Sequence, residues 1–308
     1  MHEIADRLLA AHDAGRRLVV ATAVAITGSA PRTVGTSMAW DGDAVIGSIA
    51  GGCVEAAVVE VAGEVLVDGV ARTVEYGVDD ETAFSVGLTC GGRLRIHVQP
   101  FTDSIADDLR AARPVEVCGY VDEPPVQRRM IVFGSMEFSS ALAAAARVLG
   151  YAVTVCDPRP LFLTEARFPG VERIVQWPTT YLAETAIDER TVICVLSHDA
   201  RFDAELIAIA LASEAAYVGA MGSRATHDRR VASLRERGLD AATIARLHSP
   251  IGLDLGSSTP EETAVSILAE VLAERNGSSA RPLAQLTEPI HGSRFAAVWN
   301  QSGVGGQY

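Results

Sequence analysis

Residues 130–157 read MIVFGSMEFSSALAAAARVLGYAVTVCD, and this stretch decides the fold class of the chain. A short apolar run, Met130–Phe133, precedes an alanine-rich segment, Glu137–Leu149, whose apolar residues recur with helical spacing. A second apolar run, Tyr151–Cys156, follows and ends at Asp157. The order strand, helix, strand predicts a βαβ unit of the kind that builds nucleotide-binding sheets.

Later segments repeat this alternation of strand and helix. The predicted elements are a strand at Thr191–Leu196, a helix at Asp203–Ala212, a strand at Ala216–Ala220 and a helix through Arg230–Arg237. A capping box at Thr259–Glu262, with proline at the first helical position, predicts a further helix that runs to about Arg275. We therefore expect a Rossmann-like, doubly wound parallel sheet in the C-terminal half.

The N-terminal half has a different pattern, typical of a mixed α+β domain. Helices are predicted at Glu3–Ala14 and Val54–Val67, and strands at Leu18–Ile26, Thr36–Trp40, Ala44–Ile46, Ala71–Tyr76 and Arg93–Val98. Paired prolines at Pro124 and Pro125 interrupt both kinds of element. We expect an N-terminal domain at 1–123, a linker at 124–128, the Rossmann-like domain at 129–275 and an irregular tail at 276–308.

Composition limits the classes of function. Of 308 residues, 48% are apolar and 21% charged, but no apolar run is long enough to cross a bilayer, so we expect a soluble cytoplasmic protein that does not engage membranes. A net charge of −13 disfavours nucleic acid as a partner. The five cysteines form neither a disulfide framework nor a Cys-x-x-Cys metal site, and we expect no bound metal.

Two glycine-flanked thiols stand out among these cysteines: Gly51-Gly52-Cys53 and Cys90-Gly91-Gly92. The first leads directly into the Val54 helix, which predicts free backbone N–H groups and a thiol at a positive helix end, an arrangement suited to an anion. A tight turn with a small buried cysteine is the alternative. We expect the other three cysteines, Cys118, Cys156 and Cys194, to be core residues.

Polar residues at predicted strand ends form a second set of candidates. Gly134 is the only glycine of a dinucleotide-type turn, because Met136 and Glu137 occupy the positions that follow, but Asp157 lies where a ribose hydroxyl is usually bound. We expect ligand contacts from the loops that contain His198, Asp199, Ser223 and Arg224, and from Arg32 in the N-terminal half.

The chain as a whole resembles the xanthine dehydrogenase accessory factor family, XdhC/CoxI, over nearly all of residues 1–275. The motifs that carry the resemblance are Gly28–Arg32, Gly47–Glu55, Gly87–Gly92, Leu196–Asp199, Gly219–Arg224, Pro250–Gly256 and Thr259–Glu262. Family members usually carry Gly-x-Gly-His at the Rossmann turn, and this chain departs from that pattern at Met136 and Glu137.

The resemblance implies a chaperone that binds molybdenum cofactor of the molybdopterin type as cargo. Such a chaperone holds the cofactor while its terminal sulfur is installed and delivers it to an apo molybdenum hydroxylase, with a cysteine desulfurase as a further partner. In this hypothesis the protein is not an enzyme: Cys53 and Cys90 contact the cargo, Arg32 and Arg224 bind its anionic groups, and His198 and Asp199 line the crevice.

Two other hypotheses remain open at this point. The βαβ unit and Asp157 favour an NAD(P)-dependent oxidoreductase, although the broken glycine motif counts against it. The acidic surface and the irregular tail favour a non-catalytic scaffold that docks a partner enzyme. A homodimer is the generic expectation for the assembly.

Overall fold

The computed structural model describes residues 1–28, 30, 32–77, 92–197, 199 and 201–287. The chain forms two compact units, here called the N-terminal unit, Met1–Pro125, and the C-terminal unit, Val126–Gln285. Within the described part of the chain, no helix has the length and apolarity that a membrane span requires.

The N-terminal unit is built on an antiparallel sheet of order β3-β2-β1-β5-β4. Its strands are β1 (Val19–Thr27), β2 (Ser37–Trp40), β3 (Val45–Gly47), β4 (Arg72–Tyr76) and β5 (Arg93–Pro100). The tight turn between β2 and β3 is stabilised by Asp41, whose Oδ1 accepts hydrogen bonds from the backbone N–H groups of Asp43 and Ala44. The two strands predicted at Thr36–Trp40 and Ala44–Ile46 are confirmed, and they pair as an antiparallel hairpin.

Helices cover both faces of this sheet, because alternate residues of β1 point to opposite sides. Helix α2 (Glu55–Asp68) packs on the face that contains Val19 and Ala21, while α1 (Ala5–Asp13) and α3 (Asp103–Arg110) pack on the face that contains Val20. The mixed α+β character predicted for this half is confirmed.

A short hairpin, β6 (Val115–Val117) and β7 (Tyr120–Asp122), follows α3. Cys118 and Gly119 form its two-residue turn, with φ angles of 49° and 80°. Cys118 is consequently exposed, so the prediction that it is a core residue is wrong. The flanking apolar residues resemble a strand interior in sequence, but the chain reverses between them.

The C-terminal unit contains a six-stranded parallel sheet of order β10-β9-β8-β11-β12-β13. Its strands are β8 (Arg128–Phe133), β9 (Tyr151–Cys156), β10 (Glu172–Ile174), β11 (Thr191–Val195), β12 (Tyr217–Ala220) and β13 (Leu247–His248). The strand order reverses between β8 and β11, as in two joined mononucleotide-binding halves. The predicted Rossmann-like fold is confirmed.

Helices lie on both faces of the parallel sheet. They are α4 (Glu137–Val148), α5 (Pro178–Glu184), α6 (Asp203–Ala212), α7 (Arg224–Glu236), α8 (Ala241–Ile244) and α9 (Pro260–Asn276). Strand β8 is buried on both sides: Met130 and Val132 pack with α4 and α9, and Ile131 and Phe133 pack with α6. This double burial explains why β8 is a continuous apolar run in the sequence.

The capping box of α9 is present as predicted. Thr259 Oγ1 accepts a hydrogen bond from the Glu262 backbone N–H at 3.2 Å, and the Glu262 carboxylate accepts one from the Thr259 backbone N–H at 3.2 Å. The two bonds satisfy N–H groups that a helix start otherwise leaves without partners.

Gly134 lies where β8 closely approaches the end of β11, and its φ is 106°. A Cβ at this position would be 3.0 Å from the backbone nitrogen of Ser197. We expect Gly134→Ala to lower the free energy of unfolding by about 2 kcal/mol, because the left-handed conformation and the backbone contact both oppose a side chain.

Urea unfolding followed by circular dichroism measures this change. Gly150→Ala is the matched control, since Gly150 has a φ of 81° but a Cβ added there would meet nothing within 4 Å. It therefore reports the cost of the left-handed conformation alone, about 1 kcal/mol. Equal losses in the two variants would show that the contact with Ser197 has no energetic role.

Candidate functional site

The loop that contains Gly51, Gly52 and Cys53 is organised by Glu55, the first residue of α2. One carboxylate oxygen, Oε1, accepts hydrogen bonds from Ser48 Oγ at 2.7 Å, Ile49 N at 3.1 Å and Ala50 N at 2.9 Å. The other, Oε2, accepts from Gly52 N at 2.8 Å and Val54 N at 3.2 Å. Glu55 thus holds the loop by five hydrogen bonds.

This arrangement corrects the expectation of free N–H groups at the start of α2. The N–H groups of Ile49, Ala50, Gly52 and Val54, just before the helix, donate to the Glu55 carboxylate, because Glu55 lies close enough in sequence to fold back over the loop. Burial alone would raise the pKa of Glu55, but hydrogen bonds from the Ser48 hydroxyl and from backbone N–H groups outweigh it and lower the pKa to about 2. The loop therefore carries its own anion at neutral pH.

Cys53 is half-buried and packs against the core beneath α2, at the end of this loop. Gly51 and Gly52 have φ angles of 76° and 112°, and a Cβ added to either would meet nothing within 4 Å. The space next to Gly51 and Gly52 is therefore open. Cys90, the second predicted thiol contact, lies outside the described residues.

Arg32 is engaged within the N-terminal unit. Its Nη2 lies 2.6 Å from Glu3 Oε2, and Glu3 Oε1 accepts a hydrogen bond from the Ser37 backbone N–H at 3.1 Å. Both side chains of the ion pair are partly exposed. A cargo anion would have to compete with Glu3 for this guanidinium.

The C-terminal unit has a crevice of about 390 Å³ where the carboxyl ends of β8, β9 and β11 meet. It is lined by Gly134, Asp157 and Asp199, so the fold brings together three of the predicted site residues. A larger cavity, about 600 Å³, lies at the amino ends of the same strands beside Arg129 and Thr191. In open parallel sheets the carboxyl edge binds the ligand, and we therefore assign the smaller crevice as the candidate site.

Asp157, at the end of β9, is 2% exposed and fully engaged. Its oxygens accept hydrogen bonds from Ser135 Oγ at 2.8 Å and from Arg159 Nε and Nη2 at 2.9 and 2.8 Å. Burial would raise the pKa of Asp157, but the bonds from Arg159 and Ser135 outweigh it, so the pKa is lowered. The carboxylate is not free to accept from a ribose hydroxyl.

Asp199 has the same kind of partner two residues further along the chain. Arg201 donates from Nε and Nη2 to the two oxygens of Asp199 at 2.9 and 2.5 Å. These bonds hold the pKa of Asp199 at about 2. His198, which precedes it, lies outside the described residues.

Arg159 and Arg201 both line the crevice, and sequence reasoning missed them. The signal was present as the repeated pattern Asp-x-Arg, at Asp157–Arg159 and at Asp199–Arg201. In each case the arginine backbone N–H also donates to Oδ1 of the aspartate, at 2.9 and 3.0 Å. We call these two three-residue structures the Asp-x-Arg clamps.

The turn after β8 is unlike a dinucleotide-binding turn. Met136 precedes α4 with a partly exposed side chain that lines the crevice. Glu137, the first residue of α4, forms an ion pair with Arg167 at 2.7 Å. A thioether and a carboxylate therefore occupy the region where a diphosphate usually meets the helix start.

Ser223 and Arg224 lie in the loop after β12 and at the start of α7, but they are not among the residues that line the crevice. Ser223 caps α7, because its Oγ accepts a hydrogen bond from Thr226 N at 3.2 Å. Arg224 is exposed. Both assignments as ligand contacts stay predictions.

A buried network joins the loops after β11 and β12. Ser197 Oγ donates to Asp203 Oδ1 at 3.0 Å, and Arg230 Nη2 lies 3.1 Å from Asp203 Oδ2. Arg230 Nη1 donates to the backbone oxygen of Met221 at 2.7 Å. This network fixes the two loops that border the crevice on one side.

Glu270 on α9 organises another motif that carried the family resemblance, Pro250–Gly256. Its carboxylate accepts hydrogen bonds from the Gly252 backbone N–H at 2.7 Å and from the Tyr217 hydroxyl at 2.5 Å, and lies 3.2 Å from His248 Nδ1. The motif therefore has a structural explanation: it fastens the segment after β13 to α9.

The comparisons with known proteins cover both units. Residues 11–77 match the XdhC and CoxI family, and residues 130–271 match the XdhC Rossmann domain. A crystal structure described as a xanthine dehydrogenase from Bacillus halodurans has the same fold, with a TM-score of 0.74 and 23% identity over 93% of this chain and 98% of that one.

Curated proteins are similar in sequence as well. A Bacillus subtilis protein named as a probable xanthine dehydrogenase component is 25% identical over 89% of this chain and 97% of its own length. The molybdenum cofactor insertion chaperone PaoD of Escherichia coli is 27% identical over 85% of this chain and 84% of its own. The uncharacterized protein YqeB of Escherichia coli is 27% identical over 88% of this chain, which spans only 45% of that protein.

Proposed function

The chain belongs to the XdhC and CoxI family, as its motifs predict, and from this we propose that it is an accessory protein that handles molybdenum cofactor. In this proposal the protein binds the cofactor as cargo, holds it while a cysteine desulfurase supplies the terminal sulfur, and passes it to an apo hydroxylase of the xanthine dehydrogenase type. The protein catalyses no reaction of its own.

One observation carries the proposal, namely a loop that Glu55 holds in place, with open space next to Gly51 and Gly52 and the half-buried Cys53 as the next residue. A thiolate is a soft ligand that suits molybdenum and its sulfur atoms. The flanking glycines allow a flat cargo to approach the backbone closely. The similarity to a protein named as a molybdenum cofactor insertion chaperone supports the same conclusion.

Replacing Cys53 by serine tests the proposal. We expect Cys53→Ser to weaken binding of molybdenum cofactor at least about tenfold, the value of one strong contact, as measured by calorimetry on the purified full chain. Cys118→Ser is the matched control, because Cys118 is an exposed thiol of the same unit that lies at a hairpin tip.

The same variants belong in a reconstitution assay with an apo hydroxylase. We expect the wild-type chain and Cys118→Ser to restore hydroxylase activity when cofactor and a desulfurase are supplied, and Cys53→Ser to restore much less. Full cofactor affinity in Cys53→Ser, with unchanged reconstitution, would contradict the role of the thiol. Absence of cofactor binding by the wild-type chain would contradict the proposed function itself.

A further inference from the structure

We propose that the crevice of the C-terminal unit is a phosphate monoester site, in which the two Asp-x-Arg clamps bind the phosphate, and that it does not accept the diphosphate of a dinucleotide. This step rests on the proposed function. If the protein binds molybdenum cofactor, the site selects the form of the cofactor that ends in a phosphate monoester. The dinucleotide form, whose two phosphates are joined as a diphosphate, is bound more weakly.

The clamps leave equivalent parts of the two arginines available. Arg159 and Arg201 each use the backbone N–H, Nε and Nη2 to bind their own aspartate. Among the described residues, neither Nη1 group has a hydrogen-bond partner, and the side chains are 52% and 70% exposed. Each Nη1 carries two N–H donors, which together suit the three terminal oxygens of a phosphate monoester.

Both arginines are also held in position before any ligand binds. The guanidinium of Arg159 lies over the ring of Phe162 at 5.0 Å, and that of Arg201 lies over the ring of Trp177 at 5.4 Å. The hydrogen bonds of the guanidinium to the carboxylate and its stacking on an aromatic ring together restrict each arginine side chain to one conformation. Binding therefore requires little further loss of side-chain entropy, which favours a specific site over a mobile surface charge.

The opposite side of the crevice disfavours a diphosphate. Three features of a dinucleotide site are replaced: Met136 lies where backbone must approach the ligand, Glu137 puts a carboxylate at the start of α4, and the oxygens of Asp157 already accept from Ser135 and Arg159. The backbone of Ser197 occupies the space next to Gly134 where a Cβ atom would lie. The dinucleotide therefore loses its usual phosphate and ribose contacts.

Most of the remaining residues that line the crevice are apolar. They include Phe138, Leu196, Phe202 and Met221. Such walls accommodate the flat ring system of a pterin, and a volume of about 390 Å³ belongs to the lower part of the range for small-molecule sites. A crevice lined by both arginines and apolar side chains matches a ring that carries a single phosphate.

Calorimetry on the full chain tests this with four probes: molybdopterin-type cofactor with a terminal phosphate monoester, the dinucleotide form, NADP⁺ and NAD⁺. We expect the monoester form to bind at least about tenfold more tightly than the dinucleotide form, because the diphosphate would meet Met136 and the Glu137 carboxylate at the start of α4. Competition with inorganic phosphate should weaken binding of the monoester form. Equal or tighter binding of the dinucleotide form would overturn the proposal.

Two variants change the clamps with little risk to folding. Arg201→Gln removes an exposed ion pair, and Arg159→Lys keeps a positive charge beside Asp157 but removes the fork. We expect each to weaken binding of the monoester form about tenfold. Arg190→Gln is the matched control, because Arg190 is exposed at the amino edge of the same sheet. Unchanged binding in both clamp variants would overturn the proposal.

A gain of binding provides the reverse test. We expect the double variant Met136→Gly, Glu137→Gln to bind the dinucleotide form and NAD⁺ more tightly than the wild-type chain does. Thermal unfolding by circular dichroism confirms that each variant is folded. No increase for either ligand would contradict the assignment of Met136 and Glu137 as the excluding residues.

The outcomes separate this inference from the proposed function. If cofactor binding depends on Cys53 but not on Arg159 or Arg201, the function stands and the crevice assignment fails. A second outcome would be that NADP⁺ binds more tightly than NAD⁺, that this binding requires both arginines, and that no form of molybdenum cofactor binds. The crevice would then still be a phosphate monoester site, with the ribose phosphate of NADP⁺ as its ligand. The proposed function would fail.

Discussion

Replacing Arg230 by methionine is expected to lower the free energy of unfolding by about 3–5 kcal/mol. Arg230 is 5% exposed and Asp203 8% exposed, so the pair lies out of contact with bulk water. Without the guanidinium, Asp203 would keep a buried negative charge whose remaining side-chain partner is the Ser197 hydroxyl. The Met221 backbone oxygen would lose its donor as well.

Urea unfolding of the full chain, followed by circular dichroism, measures the loss. Arg229→Met is the matched control, since Arg229 is the exposed neighbour on the same helix, and we expect a change within about 0.5 kcal/mol. The double variant Asp203→Leu, Arg230→Met should recover most of the stability, because it removes both charges. A double variant as unstable as the single one would show that packing, rather than the unpaired charge, causes the loss.

Replacing Glu55 by alanine is expected to cost about 3 kcal/mol at neutral pH. Five donors lose their acceptor at once, and the loop of Gly51, Gly52 and Cys53 loses the group that fixes its shape. Some of these donors reach water, which keeps the cost below the sum of five buried bonds. Because Cys53 lies in the same loop, cofactor affinity should fall with stability.

The stability that Glu55 contributes should also depend on pH. The folded pKa of about 2 lies below the ordinary value of 4.5, so the contribution is complete above pH 4.5 and is lost as pH falls from 4.5 toward 2. Because Glu55 is partly exposed, we expect this part to be about 1–2 kcal/mol after solvent screening.

Urea midpoints measured between pH 5 and pH 2.5 test both statements. Glu55→Ala should have a flatter dependence on pH than the wild-type chain over this interval. Glu60→Ala, an exposed carboxylate on the outer surface of the same helix, should follow the wild-type curve. Parallel curves for Glu55→Ala and the wild-type chain would refute the assignment of a lowered pKa to Glu55.

Much of the fold could be predicted because burial leaves a clear pattern in long elements. Strand β8, buried on both faces, is a continuous apolar run, and α9 begins with an explicit capping box. The three-residue strands β6, β7 and β10 are too short to have a period. Cys118 was misassigned for the same reason, since a two-residue turn between two short apolar strands resembles one longer strand.

The site was harder to predict than the fold, because it depends on which partner each polar group finds. Gly134 and Asp157 line the crevice because they follow neighbouring parallel strands, but the sequence could not show that Asp157 is bound by Arg159. The five hydrogen bonds between Glu55 and the loop could not be predicted either, because they depend on how the chain folds back. The clamp arginines were overlooked because arginines near strand ends are common on protein surfaces.

The internal hydrogen bonding of the Cys53 loop has a consequence for communication between proteins. Most of its amides donate to Glu55 in the absence of any ligand, so the loop needs no bound cofactor to keep its conformation. A receiving enzyme that docked here would meet the same backbone on a full and on an empty carrier. If the proposed function holds, such an enzyme would have to recognise the cofactor itself, because the backbone of this loop would not indicate whether cofactor is bound.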